Sequence, residues 1–583
     1  MGNSHSNRVV PPIQLPHTNV PPVKRKRSYL FSRINFSCTS IDSYLDGQDT
    51  SHIGTTLYGG STGEKTVSFK PSYEFKHETL PIYSSIRTHQ DDHETRMYQA
   101  FLKEYPNYQL TWIMDALRRT DYTRLDLSGE TYVDYMGGAL YPESLIRVHT
   151  QFLTNSILGN THSVSNSSKL SLKCADEARS AVLSHFKASS EYTVIFTANA
   201  SAAMKLVAEA YQFQNDSRLV IGADSHNSVH GMREYARQKG AETVYVPSTP
   251  HGGVDHSMAK NILLRHRPRT SAPCLYAMTG QSNISNSKTS LSLIHYASSL
   301  GYDTFLDAAA LAPTSIISLA DSAVDAMAVS FYKMFGFPTG VGALVVKKNF
   351  LQQLQRPWFA GGTVDVVQVP GDIVTRAHHL HEQFEDGTIN YLSLPAITEG
   401  LRFLSAYLPF MPLRLSSLLL YLSSSLSNLR HDSTGKPVVR ILSRLPSRKL
   451  HHIGEQSDAG FILALLFLDP SGQMIPNSFI EYAASTQNIS LRTGCMCNPG
   501  GAASMLGIVE EMQQLYPGVT LTDFEARMGR ELGVIRISLG LSTNFHDICR
   551  VIQFATSISQ ELPRQRLWNQ WVEMREGQIG QAI

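Results

Sequence analysis

The run Asp325-Ala-Met-Ala-Val-Ser-Phe-Tyr-Lys-Met-Phe-Gly-Phe-Pro-Thr-Gly-Val-Gly342 decides both the fold and the chemistry of this chain. Its apolar part, Ala326 to Val329, has the length of a buried strand, and a glycine-rich turn follows within a few positions. Lys333 stands between the two. A strand ending in such a turn can aim one amine into a cavity. A desolvated lysine there has a lowered pKa and becomes a nucleophile toward carbonyls, the chemistry of a Schiff base. Lys347 and Lys348, one short strand later, have no turn around them and read as solvated. Taken alone, Lys333 reads as a surface lysine at a strand end; its neighbours change that.

Asp307 lies 26 residues earlier, in Tyr302-Asp-Thr-Phe-Leu-Asp-Ala-Ala-Ala310, again just past a strand-like run. Successive strands of a parallel sheet place Asp307 and Lys333 side by side at their carboxyl ends, where open α/β sheets bind ligands. A carboxylate beside a Schiff-base lysine is what pyridoxal phosphate needs, because the acid keeps the pyridine nitrogen protonated and the ring an electron sink. The competing reading makes Asp307 the cap of the next helix.

Apolar runs recur at Val194 to Phe196, Leu219 to Ile221, Val244 to Val246, Cys274 to Tyr276, Phe305 and Leu306, Ala326 to Val329, and Leu344 to Val346. Helix-length amphipathic segments separate most of them, such as Ala200 to Phe213 and Leu291 to Leu300. This alternation predicts an α/β domain with a mainly parallel, seven-stranded sheet and helices on both faces. We expect an extension over 1–93, a large domain over 94–400 and a smaller α/β domain over 401–583. Leu401 to Leu429 reads as an apolar helix or helix pair, and Phe461 to Leu468 as a strand.

Several loops supply further candidates. Thr197-Ala-Asn-Ala-Ser-Ala-Ala203 joins strand to helix, and its small residues let a phosphate approach free amides near Ala200, with the Ser201 hydroxyl as another donor. His226, in Ala223-Asp-Ser-His-Asn-Ser228, can stack on a flat ring or simply cap a loop. Asn283, in Gln281-Ser-Asn-Ile-Ser285, can donate to a ring oxygen or be an ordinary turn residue. Ser330 can also reach a phosphate. In Leu491-Arg-Thr-Gly-Cys-Met-Cys-Asn-Pro-Gly-Gly501 two cysteines flank one residue. No matching Cys or His cluster suggests a metal, and a disulfide across one residue is strained. The readings left are a mobile loop bearing a nucleophilic thiol and a pair of inert small residues. Arg536, inside the apolar strand Val534 to Leu539, needs an anion: a substrate carboxylate or an internal acid.

Composition narrows the rest. A formal charge of +2 on 583 residues, with no basic stripe through the body, argues against nucleic acid as the main partner. Six cysteines in this length make no disulfide framework, so a reducing, cytoplasmic setting is expected. No apolar run approaches the roughly 20 residues of a membrane span. The N-terminal 95 residues or so are rich in Ser, Pro, Thr and His and read as disordered. Met1 to Ser6 fits an N-myristoylation pattern, and Lys24 to Arg27 could add an electrostatic membrane signal; chance and simple solvation are the competing readings.

Together these segments resemble the class V aminotransferase family of pyridoxal phosphate enzymes, which includes the cysteine desulfurases. The match is nearest to the desulfurase part of molybdenum cofactor sulfurases. It runs in order through Tyr132 to Tyr141, Val194 to Glu209, His226 to Ala236, Gln281 to Ser285, Ser330 to Gly342, Phe384 to Pro395, Leu491 to Gly500 and Val534 to Thr543. The resemblance implies fold type I and pyridoxal 5′-phosphate. It implies Lys333 as the Schiff-base lysine, Asp307 on the pyridine nitrogen and His226 stacked on the ring. Asn283 would reach the ring hydroxyl, and Ala200, Ser201 and Ser330 the phosphate. Cys497 would carry a persulfide taken from L-cysteine, with alanine released, and Arg536 would hold the substrate carboxylate. Gly362 and Thr363, in Phe359-Ala-Gly-Gly-Thr363, resemble a segment that reaches the other subunit of a homodimer. The chain departs from the family at Asn199-Ala-Ser201, where Gly-Ala-Thr is usual, and at Gly501 and Ala502, where a third cysteine is usual. Sulfurases of this kind continue into a C-terminal molybdenum-cofactor-binding domain that is not in this sequence, so the sulfur acceptor stays open. The alternatives are a stand-alone lyase or aminotransferase acting on another amino acid in secondary metabolism, and a non-enzymatic binding module.

Overall fold

The computed structural model describes residues 89–581, with side chains over 93–576. The Met1–Ser6 pattern and the Lys24–Arg27 tetrad lie outside the described residues. Each of the predicted apolar runs falls in a strand of one sheet. Its order is Tyr192–Thr197, Gly342–Lys347, Ala326–Ser330, Asp303–Asp307, Leu275–Thr279, Arg218–Gly222, Glu242–Val246. Gly342–Lys347 runs antiparallel to both its neighbours; the other pairings are parallel.

The central strands Leu275–Thr279 and Ala326–Ser330 are buried at every position, as strands covered on both faces must be. Alternate residues feed opposite cores. Tyr276, Met278, Met327 and Val329 belong to one apolar cluster, and Ala277, Phe305, Ala326 and Ala328 to the other. Helices Ala200–Ala210 and Met232–Gln238 cover the second face. Asn166–His185, Ser292–Ser299 and Leu394–Tyr407 cover the first.

The apolar stretch expected from Leu401 to Leu429 is two helices, Leu394–Tyr407 and Met411–Asn428, meeting at 65°. Pro412 in the first turn of the second helix fits that restart. No single described helix is long and apolar enough to cross a membrane.

A second, four-stranded antiparallel sheet has the order Val439–Ile441, Ile462–Phe467, Val534–Ser538, Arg492–Gly494. The strand that follows Glu130 is short. Only Thr131–Tyr132 is regular, paired in parallel with Ile489–Ser490, and Asp134 then makes a bridge to Ser538. The first described helices are also fastened to the C-terminal part. Buried Arg118, on helix Trp112–Asp121, donates to both oxygens of buried Asp547, at 2.6 and 3.2 Å, on helix Phe545–Ser559. The Asn544 side chain and Asp547 form a capping box that fixes the acid at the helix start.

Removing one member of a buried pair leaves an uncompensated charge. Asp547→Ala should lower the unfolding free energy by about 3 kcal/mol in urea titration at neutral pH, because only Asp126 and the Ser542 carbonyl remain for Arg118.

Candidate active site

The carboxyl ends of several strands of the large sheet open on a cavity of about 130 Å³. That is about ten times the space one water needs. Lys333, Asp307, His226, Ser201, Ala200, Ser330 and Asn283 all line it. Asp307 ends one strand; Ser330 ends the parallel strand beside it, where Asp307 pairs with Ala328. After Ser330 the chain makes one helical turn, Phe331–Phe335, which turns Lys333 into the cavity. Gly336 closes that turn with φ +83°, and a Cβ there would strike the Leu140–Tyr141 backbone, so only glycine serves.

Burial pushes the Lys333 amine down, the Asp307 charge opposes this, and Arg536 and Arg492 add to the push. Burial raises the Asp307 carboxyl, opposed by the Ala309 amide and by Lys333. Asp307 Oδ1 accepts that amide at 3.0 Å, so the cap-like turn and the cavity role coexist in one carboxylate. His226 is pushed down to about 4, by burial first and then by Lys333 and His230, so its ring is neutral at physiological pH. Its Nδ1 accepts from the Ser228 amide at 3.1 Å, which puts the ring proton on Nε2.

The opposite end is a helix N-terminus. Asn199 caps helix Ala200–Ala210 through the Ala202 amide at 3.0 Å. The Ala200 amide donates to Ser330 Oγ at 2.8 Å, and the Ser201 and Ser228 hydroxyls share a bond of 2.6 Å. Hydroxyls and amides converging on a helix start suit a phosphate.

Other expected residues are placed differently. Asn283 borders the cavity, but its amide donates to the Met496 carbonyl at 2.7 Å and accepts from Asn498 at 3.1 Å. Gln281 is the donor that sequence reasoning missed. It is almost fully buried, it lines the cavity, and neither its Oε1 nor its Nε2 has a partner. Nothing in the sequence marks it out from its polar neighbours. Thr363 is not brought to the cavity of its own chain; its buried hydroxyl is spent in the turn with Ala360, at 2.8 Å to the carbonyl.

Arg536 has found the internal acid. It donates to Asp134 Oδ1 at 2.7 Å and to the Asn283 carbonyl at 3.0 Å, while its buried Nε has no partner. Arg492 grips the other oxygen of Asp134 at 2.9 and 2.7 Å. Two guanidiniums on one carboxylate leave surplus positive charge beside the cavity, where a second carboxylate could compete with Asp134.

Cys497 is exposed and Cys495 half-buried. The cysteine loop is tied down: the Asn227 amide, next to His226, donates to the Cys497 carbonyl at 2.7 Å.

Residues 131–435, just over half of the chain, match the family model described as Aminotransferase class-V. The chain belongs to that family. It is 30% identical over 506 residues to the molybdenum cofactor sulfurase of Arabidopsis thaliana, covering 80% of this chain and 61% of that one. It is 33% identical over 461 residues to the molybdenum cofactor sulfurase of Homo sapiens, covering 75% and 50%. The chain thus spans between half and three fifths of the length of these two relatives. Among solved structures, the cysteine desulfurase of Thermococcus onnurineus NA1 superposes with a TM-score of 0.60 at 18% identity, over 76% of this chain and 98% of that one. The cysteine desulfurase CsdA of Escherichia coli gives 0.59 at 19%, over the same shares. These two share the fold.

Class V aminotransferase members use pyridoxal 5′-phosphate, and the donor set fits it. A carbonyl-seeking amine, a buried acid, a neutral ring, a helix N-terminus and the unpartnered Gln281 amide face one ring-sized space. Buried, unsatisfied amide atoms cost about 1–3 kcal/mol. Gln281→Leu should therefore leave the cofactor-free protein as stable as before or more so in thermal melts. It should weaken cofactor binding about tenfold in an absorbance titration.

Proposed function

We propose that this enzyme takes sulfur from L-cysteine, leaves it as a persulfide on Cys497 and releases alanine. The carrying observation is the position of Cys497. It is exposed, and its carbonyl accepts from the amide of Asn227, the residue after the cavity-lining His226.

When bound, pyridoxal 5′-phosphate supplies the electron sink that makes bonds at the substrate Cα and Cβ labile. The protein does the rest. Burial favours the neutral Lys333 amine, which can take the proton from Cα and return it. Arg536 and Arg492 hold the substrate carboxylate in exchange for part of their grip on Asp134. The C–S bond of cysteine breaks, its sulfur joins Cys497 Sγ, and Cβ gains a proton, so cysteine and a thiol become alanine and a persulfide.

We extend the reading to its setting. Five described cysteines are free thiols, which suits the reducing cytoplasm. The hairpin of Val364–Val367 and Val374–Arg376 exposes Val366, Val369 and Ile373 beside Trp358 and Phe359, which suits a homodimer contact near Thr363. The names of the curated relatives suggest the molybdenum cofactor as the class of sulfur acceptor.

Cys497→Ser should lower alanine release from cysteine at least a hundredfold while the cofactor absorbance is retained. Full alanine release by that variant contradicts the mechanism. Faster turnover of another amino acid, indifferent to Cys497, supports a lyase or aminotransferase instead.

A further inference from the structure

Asp224 follows the strand Arg218–Gly222 and is almost fully buried, yet it touches none of the groups assigned above to substrate or cofactor. It accepts from the Gly253 amide at 2.6 Å, the Ser282 hydroxyl at 2.6 Å, the Ser285 hydroxyl at 2.5 Å and the Asn498 amide group at 2.6 Å. Three of those donors belong to the large domain. The fourth is the residue after Cys497.

Asn498 is fully buried and does several jobs. Its Oδ1 caps helix Pro499–Leu506 through the Gly501 amide at 3.0 Å. Its Nδ2 donates to Asp224 and, at 3.1 Å, to Asn283 Oδ1. Asn283 in turn donates to the Met496 carbonyl and receives Arg536 on its own carbonyl.

The loop needs such holding. Met496 and Cys497 have φ of +56° and +55°, two consecutive residues in a region that L side chains rarely adopt. Such a backbone persists only where the surroundings over-determine it. The loop also lies directly against the strand end. A Cβ at Gly500 would strike the Ala223 carbonyl, and one at Gly501 would fall 2.5 Å from Asp224 Oδ1.

We propose that Asp224, acting through Asn498 and Asn283, is a positioning residue that fixes the backbone on both sides of Cys497, and with it the thiol, and joins the loop to Arg536, the residue proposed to bind substrate. The catalytic part of this rests on the persulfide reading; the structural part does not. The apparent mobility of a Gly-, Asn- and Pro-rich loop is replaced by a docked loop whose position is set by one buried carboxylate in the other domain.

Two variants test it on the full chain loaded with cofactor. Asn498→Ser keeps a helix cap but is too short to reach Asp224 and Asn283; Asp224→Asn removes the charge and turns one of the two accepting oxygens into a donor that faces other donors. Hydrogen–deuterium exchange of residues 495–501 should quicken at least tenfold in each. The kcat for alanine release should fall at least tenfold, with the KM for cysteine within twofold and the cofactor absorbance and melting midpoint of Asn498→Ser close to those of the parent. Unchanged exchange and kcat in folded Asn498→Ser overturn the proposal. So does loss of cofactor together with a lowered melting midpoint in that variant, which marks a merely structural role. A parent enzyme that releases no alanine from cysteine sinks the persulfide reading, and the exchange measurement still decides the positioning role.

Discussion

A buried ammonium and a buried carboxylate share one cavity, and neither is stable there without the other. Burial pushes both Lys333 and Asp307 toward neutrality, and the charge of each opposes that push on its partner. The seven-stranded sheet is built to sustain this arrangement. Parallel pairing sets Asp307 beside Ala328, and a single helical turn then carries Lys333 back over the strand end. Gly336 permits the tight passage, and apolar strands buried on both faces keep water out from below. A pair of this kind contributes little to stability by itself. Its value is chemical: an amine whose pKa burial lowers, facing an acid that can hold a proton on a ring nitrogen.

The four-stranded sheet meets the cavity through the segment around Asp134. That carboxylate is shared by Arg536 from a central strand and Arg492 from the edge strand of the four-stranded sheet. Arg536 also meets Asn283, which follows the strand Leu275–Thr279 of the seven-stranded sheet and holds the cysteine loop. Arg536, the cysteine loop and the sheet edge are therefore linked by a short chain of hydrogen bonds rather than by separate loops. On the proposed persulfide chemistry, fixing these groups in advance lowers the entropic cost of bringing sulfur to sulfur.

The sequence made the seven-stranded sheet legible because its strands are covered on both faces. Continuous apolar runs such as Ala326–Val329 are unambiguous when helix-length segments separate them. Lys333, Asp307, His226 and the helix start at Ala200 were legible for a related reason, since strand ends in such sheets are where ligands sit. The misses have a common cause. Asn283 and Gln281 lie two residues apart in one polar turn, and periodicity cannot say which of two amides faces a cavity. The partner of Arg536 is Asp134, about 400 residues away in sequence, so the choice between a substrate and an internal acid depends on tertiary contact. The cysteine loop looked loose by composition, yet its glycines are there to let the backbone press against Ala223 and Asp224.

The chemistry of the site stands on the pairing of Lys333 with an aldehyde cofactor beside Asp307. Borohydride reduction of the full-length protein after incubation with pyridoxal 5′-phosphate, followed by peptide mass spectrometry, tests it most directly. A pyridoxyl group fixed on Lys333 is the predicted result. A group on another lysine, or on none, contradicts the account.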